Sequence, residues 1–207
     1  MGARVGILGG AFNPPHLGHL VCAQEAHLQL ELDRVELVPT ARPPHREIDD
    51  DPGPDVRLEM CELARAGDDR FAVSRIELDR DGPSYTVDTL RAMHEANPDD
   101  ELFLILGADQ AENLPTWQEP EAVLELATVC AVERVGYSRS AIVIKLARLK
   151  GAQNLRFLEM PLIQISSSAV RRRVSRGRPI RYLVPGDVVR FIEERGLYGT
   201  PATVSAT

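Results

Sequence analysis

Several features that would point at once to a class of protein are missing from this sequence. Its three cysteines, Cys22, Cys61 and Cys130, are odd in number and far apart, so they predict neither a disulfide framework nor a metal site. No apolar run approaches the length of a membrane span, and the residues before the first apolar run do not form a secretory signal. We therefore expect a protein of the reducing cytoplasm without a membrane partner.

The composition predicts one folded domain of ordinary character. The chain has 207 residues, of which 43% are hydrophobic and 27% charged, enough to bury a sizeable core. We expect the domain to span residues 1–199 and the small, polar residues 200–207 to form a flexible tail. The net charge of −7 argues against a general nucleic-acid binder. Residues 165–198 nevertheless carry eight arginines against three acids, a balance that suits a small anionic ligand.

Apolar runs alternate with helix-like segments along the chain. The strand candidates are Val5–Leu8, Val35–Val38, Phe71–Ser74, Leu102–Leu106, Val129–Val132 and Leu155–Met160. The helix candidates are Leu17–Leu30, Val56–Ala66, Thr86–Glu95, Glu119–Leu126, Ala141–Leu149, Ser167–Ser175 and Val188–Arg195. This alternation predicts an α/β fold, a Rossmann-like parallel sheet flanked by helices. Ligands of such sheets bind beyond the carboxyl ends of the strands, so the turn after the first strand and Gly107-Ala108-Asp109 after the fourth should line one crevice.

Local signals predict where some of these helices begin and end. Asp55 and Asp187 are plausible N-caps, and Gly67 and Gly196 are plausible C-terminal stops. Residues 40–54 are rich in proline and aspartate and predict a long, mobile loop.

The most informative segment lies between the first predicted strand and the first predicted helix. It contains Gly9, Gly10 and two histidines three residues apart, His16 and His19. The glycines allow the backbone to approach a ligand closely, and the N-terminus of a helix attracts phosphate. Both imidazoles can face one ligand if the helix begins here. Neither the G-x-G-x-x-G spacing nor the Gly-Lys-Ser/Thr of Walker A is present.

Two motifs at opposite ends of the chain carry a specific resemblance. His16-Leu17-Gly18-His19 resembles the H-x-G-H signature of the nucleotidyltransferase superfamily. Ile165-Ser166-Ser167-Ser168-Ala169-Val170-Arg171 resembles its second signature, I-S-S-T-x-x-R. Within the superfamily, the whole chain is most similar to the bacterial nicotinate mononucleotide adenylyltransferases.

The resemblance implies transfer of the AMP part of ATP to nicotinate mononucleotide, which gives nicotinate adenine dinucleotide and pyrophosphate. The attacking phosphate monoester is largely dianionic at neutral pH, so it needs alignment and stabilisation of charge rather than a general base. The family pattern assigns catalysis to His16, His19 and Arg171, as hydrogen-bond donors and cations. It assigns ATP binding to these three and to Gly9, Gly10, Ala11, Phe12, Gly107, Asp109, Ile165, Ser166 and Ser167.

The mononucleotide side rests on further stretches that resemble the family. Gly82-Pro83-Ser84-Tyr85-Thr86 resembles G-P-S-Y-T, which implies that Tyr85 and Thr86 bind the pyridine carboxylate. Trp117, the only tryptophan, would stack on the nicotinate ring. The remaining members of this set are Arg46, in a P-P-H-R segment that resembles P-P-H-K, and Arg134, which would reach the phosphate of the mononucleotide.

The chain departs from the family pattern at four positions. Ala11 and Ser168 stand where threonine is usual, Asn13 stands for aspartate, and Arg46 stands for lysine. The expected cofactor is Mg²⁺ carried by the phosphates of ATP, with no metal ligands supplied by the protein.

Other interpretations of the same residues stay open at this point. The acceptor could be nicotinamide mononucleotide or another phosphate such as phosphopantetheine, although phosphopantetheine would leave the G-P-S-Y-T stretch and Trp117 unexplained. A tRNA-charging enzyme would need a longer chain. A non-catalytic nucleotide-binding protein would be expected to have lost one of His16, His19 and Arg171. The expected partners are small-molecule substrates, and the sequence does not indicate the oligomeric state.

Overall fold

The fold is built on a parallel sheet whose order places the first strand in the middle. The structure is a computed structural model that describes residues 2–44, 47–132 and 138–199. The strands are β1 Arg4–Gly10, β2 Arg34–Pro39, β3 Phe71–Val73, β4 Glu101–Gly107, β5 Thr128–Val132 and β6 Arg156–Leu158. They lie in the order β3-β2-β1-β4-β5-β6, and every pair is parallel. The chain therefore changes direction across the sheet between β1 and β4, which is where sheets of this kind bind ligands.

Eight α-helices connect or follow these strands in the described part of the chain. They are α1 Leu17–Gln29, α2 Pro54–Arg65, α3 Thr86–Ala96, α4 Ala108–Asn113, α5 Pro120–Leu126, α6 Arg139–Leu146, α7 Ser167–Val174 and α8 Gly186–Glu194. Short 3₁₀ turns occur at Leu114–Thr116, Ala152–Asn154 and Leu197–Gly199. None of these helices combines the length and the apolar character of a membrane span.

Both faces of the sheet are covered because its central strands alternate between two cores. On β4, Leu104 and Leu106 pack with α3, α4, α5 and α6, whereas Phe103 and Ile105 pack with α1 and α2. Alternate side chains of a strand point to opposite faces, so an almost wholly apolar strand is the expected sequence for a sheet buried on both sides. The predicted α/β class, the six strands and the seven predicted helices are confirmed.

A third, smaller core attaches the C-terminal helices to the sheet domain. Val170 and Val174 of α7 pack with Val188 and Ile192 of α8 and with Met60 of α2. This cluster holds α7, and with it the second sequence motif, against the part of the chain that carries the first motif.

Two details of the sequence prediction are wrong. Asp55 and Asp187 are not N-caps, because the helices begin earlier, after Gly53 and Pro185; both carboxylates lie in the first turn, where the helix dipole favours them. Helix α4 is missing from the prediction, since six residues rich in polar side chains are too short to display a helical apolar stripe.

The predicted helix stops are confirmed. Gly67 and Gly196 directly follow the C-caps of α2 and α8 with φ of +82° and +59°, a conformation that favours glycine. The predicted tail 200–207 lies outside the described residues.

Arg57 on α2 is fully buried and connects three segments, which yields a stability prediction. Its Nε donates to Asp51 Oδ1 at 2.8 Å and its Nη1 donates to the carbonyl oxygen of Ala11 at 2.9 Å. We expect Arg57→Ala to lower the free energy of unfolding by about 3 kcal/mol, because it removes two hydrogen bonds from a charged group and leaves a cavity where a fully buried side chain packs. Urea denaturation followed by circular dichroism measures this change.

The matched control is Arg65→Ala on the same helix. Arg65 pairs with Glu62, but both side chains are exposed by more than a third, so the loss should stay below about 0.5 kcal/mol. Equal losses for the two variants would contradict the structural role given to Arg57.

Candidate active site

The two sequence motifs, far apart in the chain, are joined by hydrogen bonds. Arg171 Nη1 donates to the carbonyl oxygen of Asn13 at 3.0 Å, and Ser167 Oγ donates to the carbonyl oxygen of Pro14 at 2.8 Å. Ser166 is the N-cap of α7, and its hydroxyl accepts from the backbone N–H of Ala169 at 3.2 Å. Because the cap starts α7 at Ser167, Arg171 follows one helical turn later and faces the loop after β1.

The two histidines form a compact pair at the start of α1. His16 is the N-cap residue, and its backbone N–H donates to Nδ1 of His19 at 3.1 Å. The two rings stack with centroids 3.7 Å apart and an angle of 18° between their planes. Gly18 leaves room for the His16 ring, because a Cβ at position 18 would lie only 3.0 Å from its Nδ1. The side chain of Phe12 is buried, and its ring meets His19 edge-on at 4.9 Å.

The surroundings of His19 determine its protonation state and its tautomer. Burial, and secondarily the neighbouring His16, hold the pKa of His19 well below its usual range, so the ring is neutral at neutral pH. Because Nδ1 accepts a hydrogen bond, the proton of the neutral ring must lie on Nε2. His19 is therefore a hydrogen-bond donor through Nε2 rather than a cation, and positive charge here comes from arginine.

Arg171 is engaged by acidic residues at the end of the 40–54 loop. Its Nε donates to Asp50 Oδ2 at 3.1 Å, and its Nη2 lies 3.8 Å from Asp49 Oδ2. The Arg171 side chain is 11% exposed, whereas those of Asp49 and Asp50 are 88% and 69% exposed. The arginine is thus fixed in the site, and the carboxylates reach it from the solvent side.

Asn13 organises the same corner. Its Nδ2 donates to the carbonyl oxygen of Asp49 at 2.8 Å, and its Oδ1 accepts from the hydroxyl of Tyr198 at 2.5 Å. Burial raises the pKa of the Tyr198 hydroxyl, so this hydroxyl stays protonated and remains a donor. An amide at position 13 both donates and accepts, and here it uses both functions.

A cavity of about 600 Å³ lies beside this cluster, at the carboxyl ends of β1 and β4. Gly9 and Gly10 line it where the chain leaves β1. Tyr85 and Thr86 enter it from the start of α3, and Trp117 enters from the turn after α4. The lining also includes polar residues not singled out by sequence, namely Glu77, Thr89, Gln110 and Asn113.

The remaining predicted site residues fall into three groups. Gly107 is the N-cap of α4, and a Cβ there would come within 2.7 Å of the Asp109 carboxylate, so this glycine gives that side chain room. Ile165 packs at the edge of the C-terminal core, and the carbonyl oxygen of Ala11 binds Arg57. Arg46 and Arg134, with His45, lie outside the described residues.

Sequence reasoning missed several residues at this site for an identifiable reason. Asp50 stands in a loop, and its partner Arg171 is 121 positions away. Glu77 is the first of three acids at alternate positions, before Asp79 and Asp81, so nothing in the sequence distinguishes it from a surface residue. Tyr198 follows the last predicted helix and precedes a glycine. This context predicts a residue outside the regular structure and gives no sign of its contact with Asn13.

The cysteines are not part of this chemistry. Cys61 and Cys130 are buried, and burial raises the pKa of the Cys22 and Cys130 thiols to about 12. Thiols of this kind are protonated and unreactive. Within the described ranges, no group of three or more histidine, cysteine or acidic side chains is arranged to hold a metal ion.

Comparisons with known proteins agree with the fold and show the family of this chain. Residues 7–173 match a family described as cytidylyltransferase-like. A relative from Thermus thermophilus, named "Probable nicotinate-nucleotide adenylyltransferase", is 47% identical over 195 residues, which are 94% of this chain and 99% of the relative. A relative of the same name from Geobacillus thermodenitrificans is 42% identical over 202 residues, which are 98% and 89% of the two chains.

Solved structures share the architecture at lower identity. The Plasmodium falciparum nicotinic acid mononucleotide adenylyltransferase complexed with NaAD superposes with a TM-score of 0.79 at 17% identity, covering 96% of this chain and 98% of the other. That likeness concerns the fold, whereas the sequence relatives bear on the family. The chain belongs to the cytidylyltransferase-like family and, within it, to the nicotinate-nucleotide adenylyltransferases.

Proposed function

We propose that this protein transfers the adenylyl group of ATP to nicotinate mononucleotide, giving nicotinate adenine dinucleotide and pyrophosphate as a step of NAD biosynthesis. The observation that carries the proposal is the union of the two motifs beside one large cavity. Arg171 and Ser167 bind the backbone at Asn13 and Pro14, and Gly9 and Gly10 continue from there into the cavity. Family membership favours the same activity.

The phosphates of ATP would bind at the motif corner, between the glycine turn after β1 and the start of α7. Nε2–H of His19 is the donor for an oxygen of the α-phosphate, and as a neutral donor it stabilises developing charge without itself losing a proton. Arg171 supplies the positive charge for the leaving pyrophosphate. The N-termini of α1 and α7 add partial positive charge on both sides.

Nicotinate mononucleotide would occupy the cavity between α3 and the turn that carries Trp117. The first turn of α3, which begins at Thr86 after the N-cap Tyr85, presents backbone N–H groups to the pyridine carboxylate, and Trp117 offers a flat face to the ring. The phosphate of the mononucleotide then points toward the motif corner and attacks the α-phosphorus, while pyrophosphate leaves on the opposite side. The residues named here align the two anions, and no side chain is asked to remove a proton.

Magnesium would arrive with ATP as part of the substrate. Its role would be to neutralise phosphate charge, and its ligands would be phosphate oxygens and water. Arg46 and Arg134 remain proposed contacts for the mononucleotide.

A product assay tests the proposed function directly. Purified protein with ATP and Mg²⁺ should form a dinucleotide from nicotinate mononucleotide and release one pyrophosphate per product. Parallel reactions should contain nicotinamide mononucleotide and phosphopantetheine, with products separated by chromatography. Preferential turnover of either of these acceptors would overturn the substrate assignment, and no turnover with any acceptor would favour a nucleotide-binding protein.

His19→Ala should lower kcat by roughly 10²–10³, the effect of removing one preorganised donor to the transition state. Steady-state kinetics with both substrates measures this change. The matched control is His27→Ala, a histidine in the last turn of the same helix, which should keep full activity. A decrease of less than tenfold for His19→Ala, with the fold intact by circular dichroism, would show that His19 does not have the role proposed here.

Trp117→Ala should raise KM for nicotinate mononucleotide about tenfold, because a stacked and partly buried aromatic contact is worth about 1 kcal/mol or more. KM for ATP should change little, and Trp117→Phe should recover most of the affinity. A rise confined to KM for ATP would contradict the stacking role.

A further inference from the structure

A buried acid in the wall of the large cavity has no part in the mechanism above. Glu77 is 8% exposed and lines the cavity. Its Oε1 accepts from the Thr89 hydroxyl at 3.0 Å, and Thr89 and Ser84 are themselves buried. Its other oxygen, Oε2, is buried without a hydrogen bond of good geometry. A buried acceptor in this state lowers stability, so a purely structural reason for keeping a carboxylate here is weak.

The surroundings of Glu77 connect two segments on either side of the cavity. Ser84 N–H donates to the carbonyl oxygen of Arg42 at 2.8 Å, and Arg42 N–H donates to Ser84 Oγ at 3.0 Å. This two-way bond joins the start of the 40–54 loop to the turn before α3. The Ser84 hydroxyl and the Ala41 backbone N–H favour the charged form of the Glu77 carboxyl.

Both connected segments carry the cavity wall where the mononucleotide would bind. Ser84 immediately precedes Tyr85 and Thr86, and the loop contributes Thr40, Pro43 and Pro44 to the same cavity. Glu77 is hydrogen-bonded to Thr89 of α3 and lies in the cavity wall where these two segments meet, so it is placed to set the width of this end of the cavity.

We propose that Glu77 is a positioning residue whose carboxylate holds the start of the 40–54 loop against the first turn of α3, and so sets the mononucleotide end of the cavity. We call this arrangement of Glu77, Ser84, Thr89 and Ala41 the clamp. The inference rests on the proposed function for its substrate, although the clamp itself exists without any ligand. Glu77 acts through Ser84, Thr89 and Ala41.

The charge state of Glu77 gives the clamp a pH dependence. The groups around the carboxyl are donors, namely the hydroxyls of Ser84 and Thr89, the N–H of Ala41 and the guanidinium of Arg80 nearby. Burial outweighs these donors and raises the pKa of Glu77 above its ordinary value. As pH falls toward that raised pKa, the carboxylate gains a proton and loses its hold on donors, so the clamp loosens on the acid side.

The test uses Glu77→Gln, which keeps the shape but replaces one acceptor oxygen by a donor. Without ligand, amide hydrogen exchange of residues 40–42 should be faster than in wild type. KM for nicotinate mononucleotide should rise about tenfold while KM for ATP stays the same, and the free energy of unfolding should be unchanged or higher. In wild type, KM for nicotinate mononucleotide should rise as the pH falls and Glu77 gains a proton, and this rise should be absent from the variant. Titration of the substrate phosphate affects both proteins equally, so the difference between the two pH profiles reports Glu77.

The control is Glu36→Gln, a half-buried acid on β2 paired with Arg34, which should change neither the amide exchange of residues 40–42 nor KM. Ser84→Ala should reproduce the Glu77→Gln result. Unchanged exchange and unchanged KM in Glu77→Gln would overturn the proposal, as would a loss of stability that raises both KM values together. If amide exchange is faster in Glu77→Gln but the wild-type protein forms no dinucleotide, the positioning role of Glu77 stands and the proposed function is refuted.

Discussion

The parallel pairing of β1 with β4 is the interaction on which the rest of the site depends. The register sets Leu8 opposite Ile105, so both strands end at the same edge of the sheet. The connection from β1 turns to one side and the connection from β4 to the other, which leaves a gap between them. The histidine motif and α4 begin at that gap, and the large cavity opens beside it. If β1 and β4 were not neighbours in the sheet, the histidine motif and the start of α4 would not lie at the same edge.

The second constraint is that the motif corner handles negative charge with few formal positive charges. Burial keeps His19 neutral, so the stacked imidazoles can lie 3.7 Å apart without repulsion. Arg171 reaches the same loop through its bond to the carbonyl oxygen of Asn13, and Asp49 and Asp50 pair with it. A site organised in this way would direct dipoles and the Arg171 guanidinium at phosphate, which suits a reaction that needs orientation more than proton transfer.

Sequence predicted the fold more completely than the site, and particular residues show why. The apolar run Leu102–Leu106 is the pattern expected of a strand buried on both faces, and glycines at positions 67 and 196 mark helix ends by their own conformational freedom. By contrast, Ala108–Asn113 is too short for a pattern, and its helix follows from the geometry at the end of β4.

At the site, Arg171 could be selected from three consecutive arginines by its motif, but its partners could not. Asp50 and Asn13 reach it only because α7 packs beside the loop after β1. Glu77 has no motif, and its importance comes from burial next to Ser84 and Thr89. Contacts between distant segments are absent from any local pattern, and these contacts build most of the corner.

The contact of Asp49 and Asp50 with Arg171 makes nucleotide binding a competition within the molecule. If ATP binds Arg171 as proposed, its phosphates replace carboxylates that are already there. The measured affinity is then the intrinsic affinity multiplied by the fraction of molecules whose acidic segment has withdrawn. Since Arg42 ties the beginning of the same loop to α3, a change at the mononucleotide end would alter that fraction. Binding of one substrate would thus change the affinity for the other, because the two ends of the same loop contact the two substrate sites.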